Sequence, residues 1–343
     1  MMWLTWRQSR AQTIAAAAAL AGLAIVLAVT GSSVAHLYDA SGIAGCHPFA
    51  SCRTLVDGFT SKLTSTDGFL YGIGIAVLLL APALIGVFWG APLVTREIEA
   101  RTLPLAWNQT VTRTRWMAVK LGLVGLAATA TAGLLTFMLT WWSSPIDTAL
   151  SMGTTSRINL TRLGPVLFDS RDITPVGYAA FAFALGVTAG VLIRSTVPAM
   201  AATLAGFAAV QVAWPIWIRQ HLIAPVHTVV ALNPASVFQI KSNNDNMIIS
   251  AMPNFEQRGA WVLSSQIVDR SGHAAHVMTN PVCLGNNFAA CQAWIGRLHL
   301  RQIVSYEPAS RFWDFQWAET AIFVALAVAL AAFCTWWIRR RVA

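Results

Sequence analysis

Few side chains in this sequence are spaced for catalysis. His273 and His276 stand three apart near Asp269, and His47 follows Cys46. Zinc takes about four such ligands in a tight set; none is spaced that way, so these read as loop histidines and no metal is assigned. No Gly-x-x-x-x-Gly-Lys-Ser/Thr occurs, and no lysine follows a glycine, so the chain cannot cradle a nucleotide phosphate in a P-loop. Gly-x-Ser-x-Gly and His-Glu-x-x-His are also missing. The densest charge lies between Phe88 and Trp116, in Thr95-Arg96-Glu97-Ile98-Glu99 and again at Arg113 and Arg115. That is the chemistry of a surface offered to a soluble partner.

The elements that must hold this stretch are membrane helices. Of the 343 residues, 56% are hydrophobic and 11% charged, with a mean hydropathy of +0.58; soluble domains carry about 25% charged residues. Apolar runs near 20 residues cross the hydrocarbon core, and six are expected. They are Thr13 to Thr30, Phe69 to Val94, Trp116 to Trp142, Thr174 to Arg194, about Pro198 to Trp217 after a short turn at Ser195 to Val197, and Ala318 to Ile338. The first run, preceded by Arg7 and Arg10, is read as a retained signal anchor, because five further spans follow. Met2 to Gln12 is expected as an interfacial helix lying along the headgroups, with the plain first turns of span one as the alternative. The domains are therefore 1–218 with outer loops 31–68 and 143–173 and an inner segment 95–116, a cap at 219–317, and a last span with a basic tail at 318–343. The cap is expected to be mainly helical, with an amphipathic stretch from Asn287 to Val304.

Lysine and arginine set the orientation. With the N-terminus inside, inner segments totalling about 50 residues hold 11 of the 23 basic residues, and short basic loops stay on the cytoplasmic side. Both termini are expected inside. The net charge of +9 lies at span ends and not along one face, which excludes nucleic acid as the partner. Most tryptophans also fall at span ends, marking both interfaces. Cys46 and Cys52 share one outer segment and Cys283 and Cys291 another, while Cys334 sits in the last span. Two disulfides in an oxidising compartment fit, with free or cross-paired thiols as the alternative.

Within the spans, Pro82 removes a backbone donor, and Gly86 and Gly90 let another helix come close, so span two is a candidate moving part. Thr174 is a plausible N-cap before Pro175. Glu319 stands at the outer end of the last span, expected to pair with Arg311, with a gate residue or proton carrier as the alternative; both are outer-gate candidates. No charge lies deep in the membrane, only hydroxyls such as Thr203 and the amide Gln211, which argues against an ion path and suits an apolar or amphiphilic cargo.

Six spans, a charged loop between spans two and three, a tight turn between four and five, and a large segment before span six resemble the permease subunit of type 2 ATP-binding-cassette exporters. The segment from Thr95 to Thr102, followed by Val111-Thr112-Arg113 and Lys120, looks like that family's coupling segment. WLTWRQSRAQ, PVGYAAFAFALGVTAGVLIRSTVPAM and YEPASRFWDFQWAE resemble actinobacterial permeases of the group. The resemblance implies an all-α membrane fold of six transmembrane helices, with an inner coupling helix seated on a separate ATPase through Arg96, Glu97, Glu99, Arg101, Thr102, Trp107, Arg113 and Arg115. It also implies two ATPase subunits supplying ATP and Mg, a second permease copy, a bacterial membrane, and a pathway or hinge including Pro82, Gly86, Thr203, Phe207 and Gln211. No cofactor is expected on the chain itself. Arg101 departs from the pattern, standing where the family usually has glycine. The alternative reading is a membrane-anchored sensor or enzyme acting through the cap.

Overall fold

A computed structural model describes residues 2–46, 49–100, 113–152, 161–243, 246–251, 259–275, 277–278, 280–284 and 287–341. The chain divides into two compact units, one of residues 1–219 with 312–343 and the other of residues 220–311.

The first unit is helical. Its elements are α1 (Met2–Ala40), α2 (Phe49–Lys62), α3 (Ser65–Ile85), α4 (Pro92–Glu99), α5 (Arg113–Met152), the single turn α6 (Pro165–Phe168), α7 (Thr174–Ile193), α8 (Thr196–Ala213) and α11 (Phe312–Arg341). Six stretches among the described residues are long and apolar enough to cross a membrane: Gln12–Ala40, Ser65–Glu99, Arg115–Ser151, Thr174–Ile193, Thr196–His221 and Ala309–Arg340.

The helices overrun the expected spans, because hydropathy marks the edge of the hydrocarbon and not the end of the backbone ladder. Beyond Thr30, α1 continues to Ala40, and Val34, Leu37 and Tyr38 pack with Val56 and Phe59 of α2 and Ile146 and Ala149 of α5. This satellite core, with the Cys46–Cys52 disulfide (Cα atoms 5.6 Å apart), orders part of what was expected to be loop 31–68. A second correction concerns the N-terminus: no separate interfacial helix forms, since Met2 to Gln12 is the first part of α1. The alanine-rich run that follows is a strong helix former with nothing to break the ladder.

At the centre stands α7. Its alanines and glycines let neighbours approach from every side, and it packs against α3, α4, α5, α8 and α11. Between α3 and α4, residues Gly86–Gly90 form a π turn, closed by the Ala91 N–H on the Gly86 carbonyl at 2.9 Å. Pro82, four residues earlier, is buried inside α3. The π turn faces α7 glycine to glycine, with Gly86 and Gly90 against Ala182, Phe183 and Gly186.

The second unit corrects the expectation of a mainly helical cap. Its described residues form two three-stranded antiparallel sheets from β1 (Val226–Ala231), β2 (Val237–Asn243), β3 (Asn246–Ala251), β4 (Trp261–Val268), β5 (Val277–Met278) and β6 (Arg301–Glu307), in the orders β1-β6-β4 and β2-β3-β5. Two helices, α9 (Pro281–Leu284) and α10 (Phe288–Arg297), are joined by the Cys283–Cys291 disulfide. The amphipathic stretch from Asn287 to Val304 is split: α10 ends at Arg297, His299 turns with φ 48°, and β6 begins at Arg301. In β6, Gln302, Val304 and Tyr306 are buried while Ile303 and Ser305 between them are less so, the two-residue period of a strand with one covered face. A window spanning a helix and a strand averages both periods, so its amphipathicity does not identify the element.

Candidate functional site

The charged stretch after span two is built on α4, started by Pro92 at the first turn. Two of its acids are held by other spans. Glu97 forms a salt bridge with Lys120 of α5; the Lys120 side chain is 4% exposed and its Nζ lies 4.6 Å from the Trp116 ring centroid. Glu99 reaches the start of α8, accepting hydrogen bonds from the Thr196 backbone N–H at 2.7 Å and the Thr196 hydroxyl at 2.8 Å. Ser195, at the N-cap position of α8, makes no side-chain cap, so the cap comes from another helix. A carboxylate there meets unpaired N–H groups and the positive end of the helix dipole. Thr95, fully buried, adds a hydroxyl contact to Thr196 at 2.8 Å. Arg194 supports the tight turn before α8 in the left-handed conformation (φ 61°), its N–H on the Gly190 carbonyl.

The remaining residues of this surface divide by position. Arg96 and Arg115 are exposed. Arg113 opens α5, and its side chain lies outside the described residues, as do Arg101, Thr102 and Trp107. The expected coupling helix is thus described only over its α4 portion, where it is fastened to α5 by Glu97 and to α8 by Glu99.

At the opposite ends of these helices lie two buried charge clusters that the hydropathy reading passed over. In the first, Asp147 of α5 receives Arg171 Nε at 2.7 Å and Nη2 at 3.3 Å, the Tyr71 hydroxyl of α3 at 2.6 Å and the Ser143 hydroxyl at 3.0 Å. In the second, Arg219 is fully buried; its Nε donates to Glu319 at 2.8 Å and its Nη2 to Glu319 at 2.7 Å, to the Tyr178 hydroxyl at 3.0 Å and to Asp169. Gln211 of α8 donates to Asp169 at 3.2 Å, and the Phe168 ring lies 4.2 Å from the guanidinium. Burial, only partly offset by Arg219, pushes the Asp169 carboxyl up to about 6. The sequence Asp169-Ser170-Arg171-Asp172 therefore feeds both clusters, and Asp172 also pairs with the half-exposed Arg162.

Glu319 was expected to pair with Arg311; instead it is fully buried on Arg219, and Arg311 pairs with Glu307 four residues earlier at 2.9 Å. Proximity in sequence favoured Arg311, eight residues away, over Arg219, a hundred away. Thr174 is likewise not an N-cap. Gln316 of α11 does that work, accepting from the N–H groups of Ile173 and Thr174 at 3.2 and 2.9 Å and from the Thr174 hydroxyl at 2.6 Å. The available signal was complementary charge at one level of the bundle: Asp147, Asp169, Arg171 and Arg219 fall just past the ends of the expected spans, and Glu319 at the outer end of the last one.

Of the pathway candidates, Thr203 and Phe207 are buried within the unit. Thr203 bonds back to the Ala199 carbonyl at 2.7 Å, and Phe207 stacks edge-on to Tyr178. Leu204 and Val212 occupy the exposed face of α8. Both disulfides form as paired in the sequence reading, and Cys334 is free and buried. Asp269 closes its own turn, accepting from Ser271 and the His273 N–H, with hydrogen bonds from Ser271 holding its carboxyl below the usual range. His276 lies outside the described residues, and among those described no three His, Cys, Asp or Glu side chains are grouped to hold a metal.

A helical bundle with six stretches long and apolar enough to cross a membrane is the architecture of a multi-pass membrane protein. The family model described as ABC-2 membrane transporter related matches residues 17–219, and the chain belongs to that family. No curated protein sequence and no solved structure matches it. Membership implies a transporter permease, a membrane transport component and not itself catalytic, of a family that implies an ABC ATPase partner.

Proposed function

We propose that the chain is the permease subunit of an ATP-driven exporter that moves apolar or amphiphilic, drug-like compounds out of a bacterial cell. It works as a pair of copies with two ATPase subunits, both termini on the cytoplasmic side. The observation that carries this reading is the double fastening of α4, through Glu97 to Lys120 and Glu99 to Thr196. Force applied by a partner to the charged stretch reaches α5 and α8 without passing through a flexible loop. The uncharged middle of the spans supports an apolar cargo, since ion paths require ionisable groups there.

The test is co-purification of the permease with its ATPase, followed by reconstitution of Glu97→Gln with Glu99→Gln. Both substitutions keep side-chain size and remove charge. The expected result is an assembled complex whose transport and substrate-stimulated ATP hydrolysis fall about tenfold or more, a loss of about 1.4 kcal/mol of coupling. Undiminished transport by the assembled variant, or a permease that captures no ATPase, overturns the reading.

A further inference from the structure

The second buried cluster is one hydrogen short. Tyr178 has a single hydroxyl hydrogen, yet its oxygen lies within hydrogen-bond distance of both Asp169 Oδ1, at 3.0 Å, and Glu319 Oε1. With both carboxyls ionised, one of these oxygen–oxygen contacts has no hydrogen between its atoms. Charge gives the same count. Arg219 carries one positive charge against two carboxylates, and Asp169, Tyr178, Arg219 and Glu319 are between 0% and 4% exposed. A net negative charge in so buried a site is strongly disfavoured.

The arginine nearest to Asp169 in sequence is engaged elsewhere. From the segment before α7, Arg171 turns to Asp147 and Asp172 to Arg162. From α7 comes Tyr178, from α8 the neutral Gln211, from the turn after it Arg219, and from α11 Glu319. One added proton removes both deficits: a neutral carboxyl donates to the Tyr178 oxygen, Tyr178 donates to the other carboxylate, and that carboxylate neutralises Arg219.

We propose that Asp169, Tyr178, Arg219 and Glu319 form a proton-binding site, in which one proton is shared by the two carboxyls and its release loosens the joint between α7, the end of α8 and α11. The raised Asp169 value places the release near the neutral side of the acid range. A carboxyl whose folded value stands above its unfolded value stabilises the fold by keeping its proton. Here the contribution is complete below the unfolded value of about 4 and is lost as pH rises through about 6. This inference does not rest on the transport reading and is tested on the permease alone.

The experiment is infrared difference spectroscopy of the purified full chain in lipid nanodiscs, titrated from acid to mildly alkaline pH in H2O and D2O, with thermal unfolding followed in parallel. The wild type is expected to show a protonated-carboxyl C=O band, shifted by deuteration and lost as pH rises, together with a fall in the unfolding midpoint. Asp169→Asn and Glu319→Gln each leave one carboxylate for one guanidinium, so both lose the band and become flat in that pH range. If one variant does not fold, the other carries the comparison. A wild type without the band, or a band that persists in the folded variants, overturns the proposal.

Discussion

Gly86 and Gly186 meet backbone to backbone. A Cβ atom built on Gly186 would stand 2.2 Å from the Gly86 carbonyl oxygen and 2.8 Å from the Ala91 nitrogen. Gly90 and Gly190 repeat the contact, 2.5 Å from the Phe183 oxygen and 2.7 Å from the Ala91 oxygen respectively. The π turn of span two is therefore seated on α7, and any movement of this part of span two carries α7 with it. Gly86 belongs to this seat and Pro82 lies buried four residues before it, a more constrained setting than the free kink that proline and glycine suggest in isolation.

Gly186→Ala is expected to push these helices apart, destabilising the folded permease by about 1–3 kcal/mol, the usual cost of overpacking. Gly206→Ala is the control, because its Cβ would meet Leu185 at an ordinary 3.5 Å. Thermal unfolding in detergent, read by tryptophan fluorescence, should separate the two; equal midpoints would mean that the glycine contact is not close.

Arg171→Leu leaves Asp147 buried without its cation, at an expected cost of about 3–5 kcal/mol. The double variant Arg171→Leu with Asp147→Leu should recover much of that loss, because no unpaired charge remains. A double-mutant cycle on unfolding measures the coupling, and simple additivity of the two losses would contradict the pairing.

Gln316→Leu strips the start of α7 of its cap from α11. By analogy with loss of an N-cap, the expected cost is about 1–2 kcal/mol. The amides of Ile173 and Thr174 should exchange with solvent faster, whereas those near Val187 should not. Hydrogen exchange read by mass spectrometry distinguishes this local opening from general loosening.

Reduction of Cys283–Cys291 frees α9 from α10 in the small β-containing unit, and is expected to remove about 2–4 kcal/mol from it. Limited proteolysis with reductant should then cut within 220–311 while the spans stay protected. An unchanged digestion pattern would show that the hydrophobic cluster of Val237, Val277, Ile295 and Leu300 holds that unit without help from the bridge.

Six apolar runs, their flanking tryptophans, the two cysteine pairs and the missing P-loop could all be read along the chain. Each is a property of a short window: length and apolarity decide whether a segment can span a membrane, and phosphate cradling needs contiguous residues. The charged stretch around Glu97 and Glu99 was visible for the same reason. What those acids bind was not visible, because Lys120 and Thr196 are brought to them by the packing of α5 and α8. The same holds for Arg219, whose partners lie 50 and 100 residues away, and for the glycine seat between span two and α7. The strands of residues 220–311 were missed because pairing partners, such as Ala231 with Arg301, are supplied only by the fold. Local composition determined which segments enter the membrane, while long-range packing decided which buried charge meets which.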